Sequence, residues 1–248
     1  MSVNIPYLSA SRIHAFEQCP QLFFNNYING VRDIDRTTNW YADYGTLLHD
    51  IAERIGKGEV ESYEVAKSLY DGEFTNVDIP DTQRGEYYRQ GKSSLINMIK
   101  ELKNMKIIDV EKEFYVPIDF STPPLHGYID LVYRDEKDRL IVRDYKTSRV
   151  YGKTQMDKQY QPHMYTLACK SIYGEYPHVF EFDFIRFGEK RQIIIDDNFI
   201  KMSEIKIKGV WQRMKDSDWN AEYNPFFCDN FCDVRSICPL FLKKQRYL

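Results

Sequence analysis

The chain has 248 residues, of which 43% are hydrophobic and 15% aromatic, so it is long enough to bury the core of one sizeable domain. Its formal net charge of −3 excludes a polycation that coats nucleic acid along its whole surface, but it allows nucleic acid to bind in a local groove. The sequence contains no apolar run of transmembrane length and no signal-peptide pattern at its N-terminus. We therefore expect an intracellular, cytoplasmic protein whose five cysteines are thiols or metal ligands rather than disulfides.

The first segment predicts a helix that a proline interrupts. Ser9 or Ser11 can cap its N-terminus, and the apolar residues that follow have near-helical spacing. Pro20 breaks the pattern, so Cys19 is expected at the break, where its side chain can leave the packed face. Taken alone, a Cys-Pro pair in an apolar helix favours a core position.

Residues 41–55 predict a second, amphipathic helix. His49 and Glu53 lie four residues apart on it and therefore on one face, where both could point into a cleft. A surface His-Glu pair is the alternative interpretation.

Two further helices are predicted over residues 61–71 and 81–105. The second contains GEYYRQGK, which is similar to a phosphate-binding loop. It has five residues between the first glycine and the Gly-Lys pair, whereas the loop requires four. We therefore exclude a P-loop ATPase.

From Val110 to Ile118 the period changes to two, which predicts a strand. Glu111 and Glu113 fall on one face of this strand. One of them could add a carboxylate to a site, while solvated surface charge is the alternative for each.

The segment GYIDLVYRDEKDRLIVRDYKTS, residues 127–148, predicts a β-hairpin at the centre of the chain. Asp130 lies in its first strand and Asp144 late in its second. Because alternate residues of a strand share a face, Lys146 lies on the same face as Asp144. Two carboxylates and an ammonium group near a sheet edge can hold a divalent cation and place a nucleophilic water. A solvent-exposed hairpin with a charged face is the alternative.

A helix over residues 157–173 follows the hairpin, with Pro162 in its first turn. Gln161 and Tyr165 lie one turn apart on it and could offer an amide and a phenol to one ligand. The remaining predicted elements are strands over 179–187 and 192–195 and a helix over 199–215. The basic residues of the last helix form either a wall or a solvated face.

The C-terminal segment is dense in cysteine. Cys228, Cys232 and Cys238 are separated by three and five residues, and crowded thiolates usually hold a soft metal centre. Since a structural centre normally has four ligands, Cys19 is the obvious fourth. Cys169 lies among apolar neighbours in a predicted helix and is interpreted as a buried thiol.

Together these motifs resemble the RecB-like branch of the PD-(D/E)XK nucleases, in particular the members that carry an iron–sulfur cluster. Similar members include the nuclease associated with CRISPR adaptation and the nuclease subunits of bacterial recombination complexes. The matching segments follow the family's order: SASRIHAFEQCP, GTLLHDIAE, GYID, RDYKTS, QPHMY and the three-cysteine end. In two departures, Ile129 stands before Asp130 where the family usually has proline, and three residues rather than two separate the first pair of tail cysteines.

The resemblance implies an α/β fold with a PD-(D/E)XK restriction-endonuclease-like core, in which helices flank a mixed central sheet. It implies one nuclease domain over residues 1–248. Within it we expect a mainly helical part over 1–109, a catalytic α/β core over 110–197, and a helix with the iron–sulfur cysteine segment over 198–248.

The resemblance also implies roles for individual residues. The implied ligands of Mg²⁺ or Mn²⁺ are His49, Asp130, Asp144 and the carbonyl group of Tyr145. The implied catalytic residues are Asp130, Asp144 and Lys146, of which Lys146 positions the attacking water. Gln161 and Tyr165 are expected to contact the DNA backbone. The expected ligands of a [4Fe–4S] cluster are Cys19, Cys228, Cys232 and Cys238.

The function expected from the resemblance is metal-dependent hydrolysis of phosphodiester bonds in DNA, by an exonuclease that prefers single strands, in recombination, replication, repair or CRISPR adaptation. The expected partners are DNA that is single-stranded or has free ends, and a helicase, recombination or CRISPR protein. One alternative is a non-catalytic nucleic-acid-binding module whose cysteines hold structural zinc. Another is an accessory subunit of a larger complex. Acids beside a polyanion favour catalysis over simple binding.

Overall fold

The computed structural model describes residues 4–35 and 39–245. The α-helices are α1 (Ala10–Gln18), α2 (Pro20–Phe23), α3 (Trp40–Gly56), α4 (Tyr63–Phe74), α5 (Asp81–Leu102), α6 (Lys153–Asp157), α7 (Gln161–Tyr173), α8 (Asp197–Lys215), α9 (Pro225–Asn230) and α10 (Pro239–Gln245). The strands are β1 (Lys106–Val116), β2 (Leu125–Arg134), β3 (Leu140–Tyr145), β4 (Val179–Phe184) and β5 (Glu189–Ile194). A π-helical turn covers Phe24–Ile28, and a 3₁₀ turn covers Arg235–Ile237.

The five strands form one mixed sheet in the order β1-β2-β3-β4-β5. The pairs β2–β3 and β4–β5 are antiparallel, whereas β3 and β4 are parallel. A parallel pair requires a crossover, and α6 and α7 supply it between β3 and β4. The expected α/β fold, with helices flanking a mixed sheet, is confirmed.

The chain divides into two compact units. One, which we call the sheet unit, comprises Asn39–Phe114 and Tyr128–Ile200. The other, which we call the cysteine unit, comprises residues 1–38, Tyr115–Gly127 and Lys201–Leu248. Among the described residues, no helix is both long and apolar enough to span a membrane.

Helix α3 shows how the sequence builds the sheet unit. The Asn39 side chain caps it by accepting a hydrogen bond from the Ala42 backbone N–H. Its apolar residues recur every three or four positions and pack into a core shared with α4, α5 and one face of the sheet. Burying one such side chain contributes roughly 1.5–3 kcal/mol, so tertiary packing rather than intrinsic propensity holds the helix in place.

The segment GEYYRQGK lies inside α5, so the exclusion of a phosphate-binding loop agrees with the structure. Gly91 is needed there for packing rather than for a turn. A Cβ at Gly91 would clash with the hydroxyl and ring of Tyr70 on α4.

In the cysteine unit, Ser9 accepts a hydrogen bond from the Arg12 N–H and caps α1. The helix ends at Cys19, whose backbone is extended, and Pro20 begins α2. Helix α8 is fixed to the loop after β1, because the Trp211 indole donates to the Ser121 carbonyl at 2.8 Å.

The structure differs from the sequence prediction at several boundaries. The helix predicted over 157–173 begins only at Gln161, since Pro162 lacks an N–H and suits a first turn, and the preceding residues Lys153–Asp157 form the separate helix α6. The strand predicted over 179–187 ends at Phe184, and a turn to Gly188 (φ of 63°) leads into β5.

The basic residues of α8 are partly neutralised. Lys208 pairs with Asp119 at 3.1 Å, and Arg213 pairs with Glu17. Of the two predicted alternatives, a continuous basic wall is therefore the weaker.

Candidate functional site

The hairpin of β2 and β3 places two buried acids on one face of the sheet. Leu131 lies opposite Arg143, so Asp130 and Asp144 follow one step further along the antiparallel pair and share the opposite face. The Asp130 carboxylate accepts a 2.7 Å hydrogen bond from the Tyr145 backbone N–H. This bond fixes the acid of one strand to the backbone of the other.

His49 joins this pair from α3. Its Nδ1 lies 3.6 Å from Oδ2 of Asp130. Glu53, predicted on the same helical face, is instead paired with Lys57 at 2.5 Å. Of these two residues, the structure brings only His49 into the cluster.

Glu111 is the third member of the cluster. One ligand atom each from His49, Glu111 and Asp130 can be chosen so that all lie within 4.8 Å of one another. Glu111 has a φ of 49°, in the left-handed region that a residue with a side chain rarely adopts. Glu113, the other candidate on this strand, is exposed and accepts a hydrogen bond from the Tyr128 hydroxyl at 3.0 Å.

Asp144 and Lys146 are joined through Gln161. The Lys146 Nζ lies 2.5 Å from Oδ2 of Asp144 and donates to Oε1 of Gln161 at 2.8 Å. The Gln161 Nε2 donates to Oδ1 of Asp144 at 2.6 Å and lies 3.3 Å from the Tyr165 hydroxyl. Because Gln161 is the first residue of α7, the start of the crossover helix determines how the acid and the lysine face each other.

The cluster concentrates negative charge where water is largely excluded. Burial raises the pKa of Asp130 well above its ordinary value, and the nearby Asp144 charge raises this pKa further. Burial likewise raises the pKa of Glu111, with Glu53 and Asp50 adding to the effect. Without a cation, burial therefore favours the neutral form of both acids, and a bound cation would favour their charged form.

The two nitrogen groups of the site have different charges. Burial lowers the pKa of His49, so its imidazole is neutral and can act as a ligand near neutral pH. Burial opposes the charge of Lys146, but the Asp144 carboxylate outweighs it and the pKa of Lys146 is raised. The lysine therefore stays protonated.

This donor set fits a divalent cation such as Mg²⁺ or Mn²⁺. Carboxylate oxygens suit these ions, and a neutral imidazole is a further ligand that Mn²⁺ accepts. The structure groups His49 and Asp130 with Glu111, which the predicted ligand set omitted, whereas both Asp144 oxygens face Lys146 or Gln161. The strand pattern pointed to Glu111 only as one of two candidates, because alternation places Glu111 and Glu113 on one face and does not distinguish them.

The four cysteines of the predicted cluster line one cavity of the cysteine unit: Cys19, Cys228, Cys232 and Cys238. All are free thiols. Burial raises the pKa of Cys232 to about 11, so without a metal this group is protonated. In the described part of the chain, no three cysteine sulfurs lie within 4.8 Å of one another. Cys169 belongs to the sheet unit, where it is fully buried in α7 as expected.

Comparisons with known proteins identify the family. No curated protein matches the chain. Among solved structures the chain is similar to the one described as "Crystal structure of SSO0001", with 13% sequence identity and a TM-score of 0.41, over 97% of this chain and 89% of the other. A family model, the PD-(D/E)XK nuclease superfamily, matches residues 7–239. The chain therefore belongs to the PD-(D/E)XK nuclease superfamily, which points to a metal-dependent nuclease acting on nucleic acid.

Proposed function

We propose that the chain is a RecB-like DNA nuclease that hydrolyses phosphodiester bonds with Mg²⁺ or Mn²⁺, acting as an exonuclease that prefers single strands. The observation that carries the proposal is the convergence of His49, Glu111 and Asp130 beside the bonded Asp144, Lys146 and Gln161. A binding module has little use for this arrangement, because buried carboxylates repel a phosphate backbone unless a cation lies between them.

The proposed metal ligands are His49, Glu111 and Asp130, with Asp144 and the Tyr145 carbonyl completing the set. When bound, a divalent ion supplies Lewis acidity toward the phosphodiester and lowers the pKa of bound water. The neutral imidazole of His49 contributes a ligand without adding charge. Glu111 and Asp130 supply the negative charge that retains the cation.

The catalytic residues that we propose are Asp130, Asp144 and Lys146. The protonated Lys146 Nζ is held between Asp144 and Gln161. It presents a positive charge at a fixed position, where it can orient the attacking water and stabilise negative charge that develops on the phosphate oxygens. Asp144 keeps this ammonium group charged.

Gln161 and Tyr165 remain the proposed contacts to the DNA backbone. Gln161 is half-buried, and its side chain already bridges the acid and the lysine. Tyr165 is only 4% exposed. We therefore assign the direct backbone contact to Gln161 and give Tyr165 the role of holding it through their 3.3 Å contact.

The cysteine unit is proposed to hold a [4Fe–4S] cluster. Four free thiols around one cavity supply the donor set that such a cluster requires. Ligation would connect Cys19, at the end of α1, to the C-terminal segment. Since the family model covers parts of both units, we also propose that they form a single nuclease domain over residues 1–248.

The biological setting is also a proposal. We place the nuclease in the cytoplasm, in recombination, replication, repair or CRISPR adaptation, with a helicase, recombination or CRISPR protein as its partner. The segment that is similar to a phosphate-binding loop lies inside α5, which supports placing any motor activity on another chain.

The test combines cleavage with metal analysis. Anaerobically purified protein is incubated with 5′- and 3′-labelled single- and double-stranded DNA, with Mn²⁺, with Mg²⁺ or with EDTA. We expect cleavage that requires the divalent ion, favours single strands and is lost in Asp144→Asn. The matched control is Asp138→Asn in the same hairpin, whose side chain is 69% exposed and whose loss should leave the rate unchanged. DNA binding without cleavage in any metal would favour the non-catalytic module.

A further inference from the structure

We propose that Trp40 and Tyr41, at the start of α3, form a stacking platform for an unpaired base of the DNA strand that enters the site. This inference rests on the proposed nuclease function and adds a base-binding position outside the carboxylate cluster. All residues that carry it belong to the sheet unit.

The platform is a parallel pair of rings. The centroids of Trp40 and Tyr41 are 3.6 Å apart and their planes are inclined by 26°. The buried Tyr87 supports both rings edge-on, with centroids at 4.9 Å from Trp40 and 6.3 Å from Tyr41. Trp40 also packs against the core, whereas Tyr41 is 47% exposed. Tyr87 and the core thus hold the pair in place, and the Tyr41 ring is accessible to solvent.

Helix α3 connects this platform to the metal site. Tyr41, Gly45 and His49 follow one another at four-residue intervals and therefore lie along one side of the helix. At 1.5 Å per residue, Tyr41 lies about 12 Å from His49 along the axis. Between them, a Cβ at Gly45 would meet Oγ1 of Thr147 at 3.1 Å, so this side of α3 passes directly against the residue that follows Lys146.

A fixed positive charge lies between the platform and the catalytic strand. The Arg186 guanidinium lies 3.8 Å above the centre of the Tyr87 ring. It donates to the Thr147 carbonyl at 2.9 Å and to Oε1 of Gln90 at 2.9 and 2.7 Å. A strand that leaves the carboxylate cluster along α3 would carry its phosphates past this guanidinium before it reaches Tyr41.

This combination fits a nucleobase better than an aliphatic side chain. Bases stack on aromatic rings whatever their sequence, because each has a flat π-face, and a nearby guanidinium suits the attached phosphate. In a duplex the base faces are already stacked on each other, so the platform selects unpaired bases. At 3.4 Å per nucleotide, 12 Å corresponds to about three to four nucleotides from the metal site.

The test separates the contribution of the bases to binding from that of the phosphates. Binding of the full chain in EDTA is measured by fluorescence anisotropy with a 12-nucleotide oligodeoxythymidylate, about three platform-to-metal spans long, and with an abasic strand that has the same phosphates. We expect the wild type to bind the strand with bases about 5- to 100-fold more tightly. Tyr41→Ala should remove most of this preference and Tyr41→Phe should retain it.

Two further variants make the result unambiguous. Ile96→Ala removes an apolar side chain that is 49% exposed on α5 of the same unit and should keep the full preference. Tyr41→Leu keeps an apolar contact for Trp40 without the ring, so it carries the test if Tyr41→Ala does not fold. A wild type without any base preference, or a leucine variant that keeps it, would overturn the platform.

The two proposals fail separately. Wild-type protein that cleaves the oligonucleotide with Mn²⁺, while Tyr41→Ala still discriminates against the abasic strand, would overturn the platform and leave the nuclease standing. Wild-type protein that prefers bases but cleaves no DNA would support the platform and contradict the nuclease.

Discussion

The Gln161 side chain donates a 2.6 Å hydrogen bond to the Asp144 carboxylate. It also accepts from Lys146, so one amide sets the orientation of both charged groups. We predict that Gln161→Ala lowers the cleavage rate about 10- to 100-fold, as loss of an orienting partner typically does. The control is Gln159→Ala, two residues before Gln161, whose side chain donates a hydrogen bond to the Gln155 carbonyl at 3.1 Å. Initial rates at saturating Mn²⁺ measure the effect, and equal losses in both variants would contradict it.

Glu111 gives a second prediction, because its backbone and its carboxylate can be tested together. Left-handed backbone costs a non-glycine residue roughly 1–2 kcal/mol, whereas glycine costs about 0.5–1 kcal/mol in chain entropy. The two effects nearly cancel, so Glu111→Gly should unfold at a temperature close to that of the wild type. Without the carboxylate, half-maximal activity should require about 10- to 100-fold more Mn²⁺.

The matched control for Glu111 is Glu113→Gly on the same strand. Its carboxylate is exposed and bonded to Tyr128, so the Mn²⁺ requirement should not change. If titrations of cleavage rate against Mn²⁺ showed the same requirement for Glu111→Gly and the wild type, Glu111 would not be a ligand.

Much of this site follows from periodicity alone. Alternation along the second strand of the hairpin predicted that Asp144 and Lys146 share a face, and helical spacing placed His49 on a side of α3 that could reach a cleft. The structure brings these groups together. Such patterns are readable because a strand or helix fixes the direction of each side chain from its position.

The remainder depends on contacts between distant residues or on a single dihedral angle. Glu111 has a left-handed backbone, with a φ of 49°, and no local pattern predicts that conformation for a glutamate in a strand. Arg143, next to Asp144, turns to the opposite face, where it bonds to Glu181 at 2.9 Å and to Glu101 at 2.9 Å. No local pattern pairs an arginine with acids about 40 residues away, so the hairpin's second charged face could not be predicted.

The third prediction concerns pH and metal. Because burial raises the folded-state pKa of Asp130, the folded protein binds this proton more tightly than the unfolded chain does. Without metal, the contribution of Asp130 to stability is therefore greatest below its unfolded pKa of about 3.9 and falls as pH rises through its folded pKa. A cation removes this penalty, so Mn²⁺ should raise the unfolding temperature more at pH 7.5 than at pH 5.5.

Asp130→Asn isolates this effect. His49, whose pKa is lowered by burial, has a pH dependence of the opposite sign, but it is present in both proteins. We expect the variant without metal to lose less stability than the wild type between pH 5.5 and pH 7.5. Thermal unfolding in EDTA measures the difference, and parallel curves would show that Asp130 carries no such penalty.

A fourth prediction uses two glycines of α5. Gly91→Ala places a methyl group against the Tyr70 hydroxyl and ring, and this overpacking should cost about 1–3 kcal/mol of unfolding free energy. Gly85→Ala on the same helix meets open space and should stabilise the protein by about 0.5–1 kcal/mol. Urea unfolding followed by circular dichroism compares the two variants. A destabilising Gly85→Ala would argue against an ordinary helix at this point.

The last prediction separates the cysteines by location. Cys232 lines the cavity with the other three proposed ligands, whereas Cys169 lies in the core of the sheet unit. Metal binding at a structural centre contributes to folding, so Cys232→Ala should lose iron, visible absorbance and solubility together. Cys169→Ala should keep its iron and colour, although the cavity it leaves lowers the unfolding temperature. Iron and zinc analysis of anaerobic preparations decides the outcome. Colourless wild-type protein that contains zinc would assign the centre to zinc. Wild-type protein that contains neither metal would show that the thiols are structural.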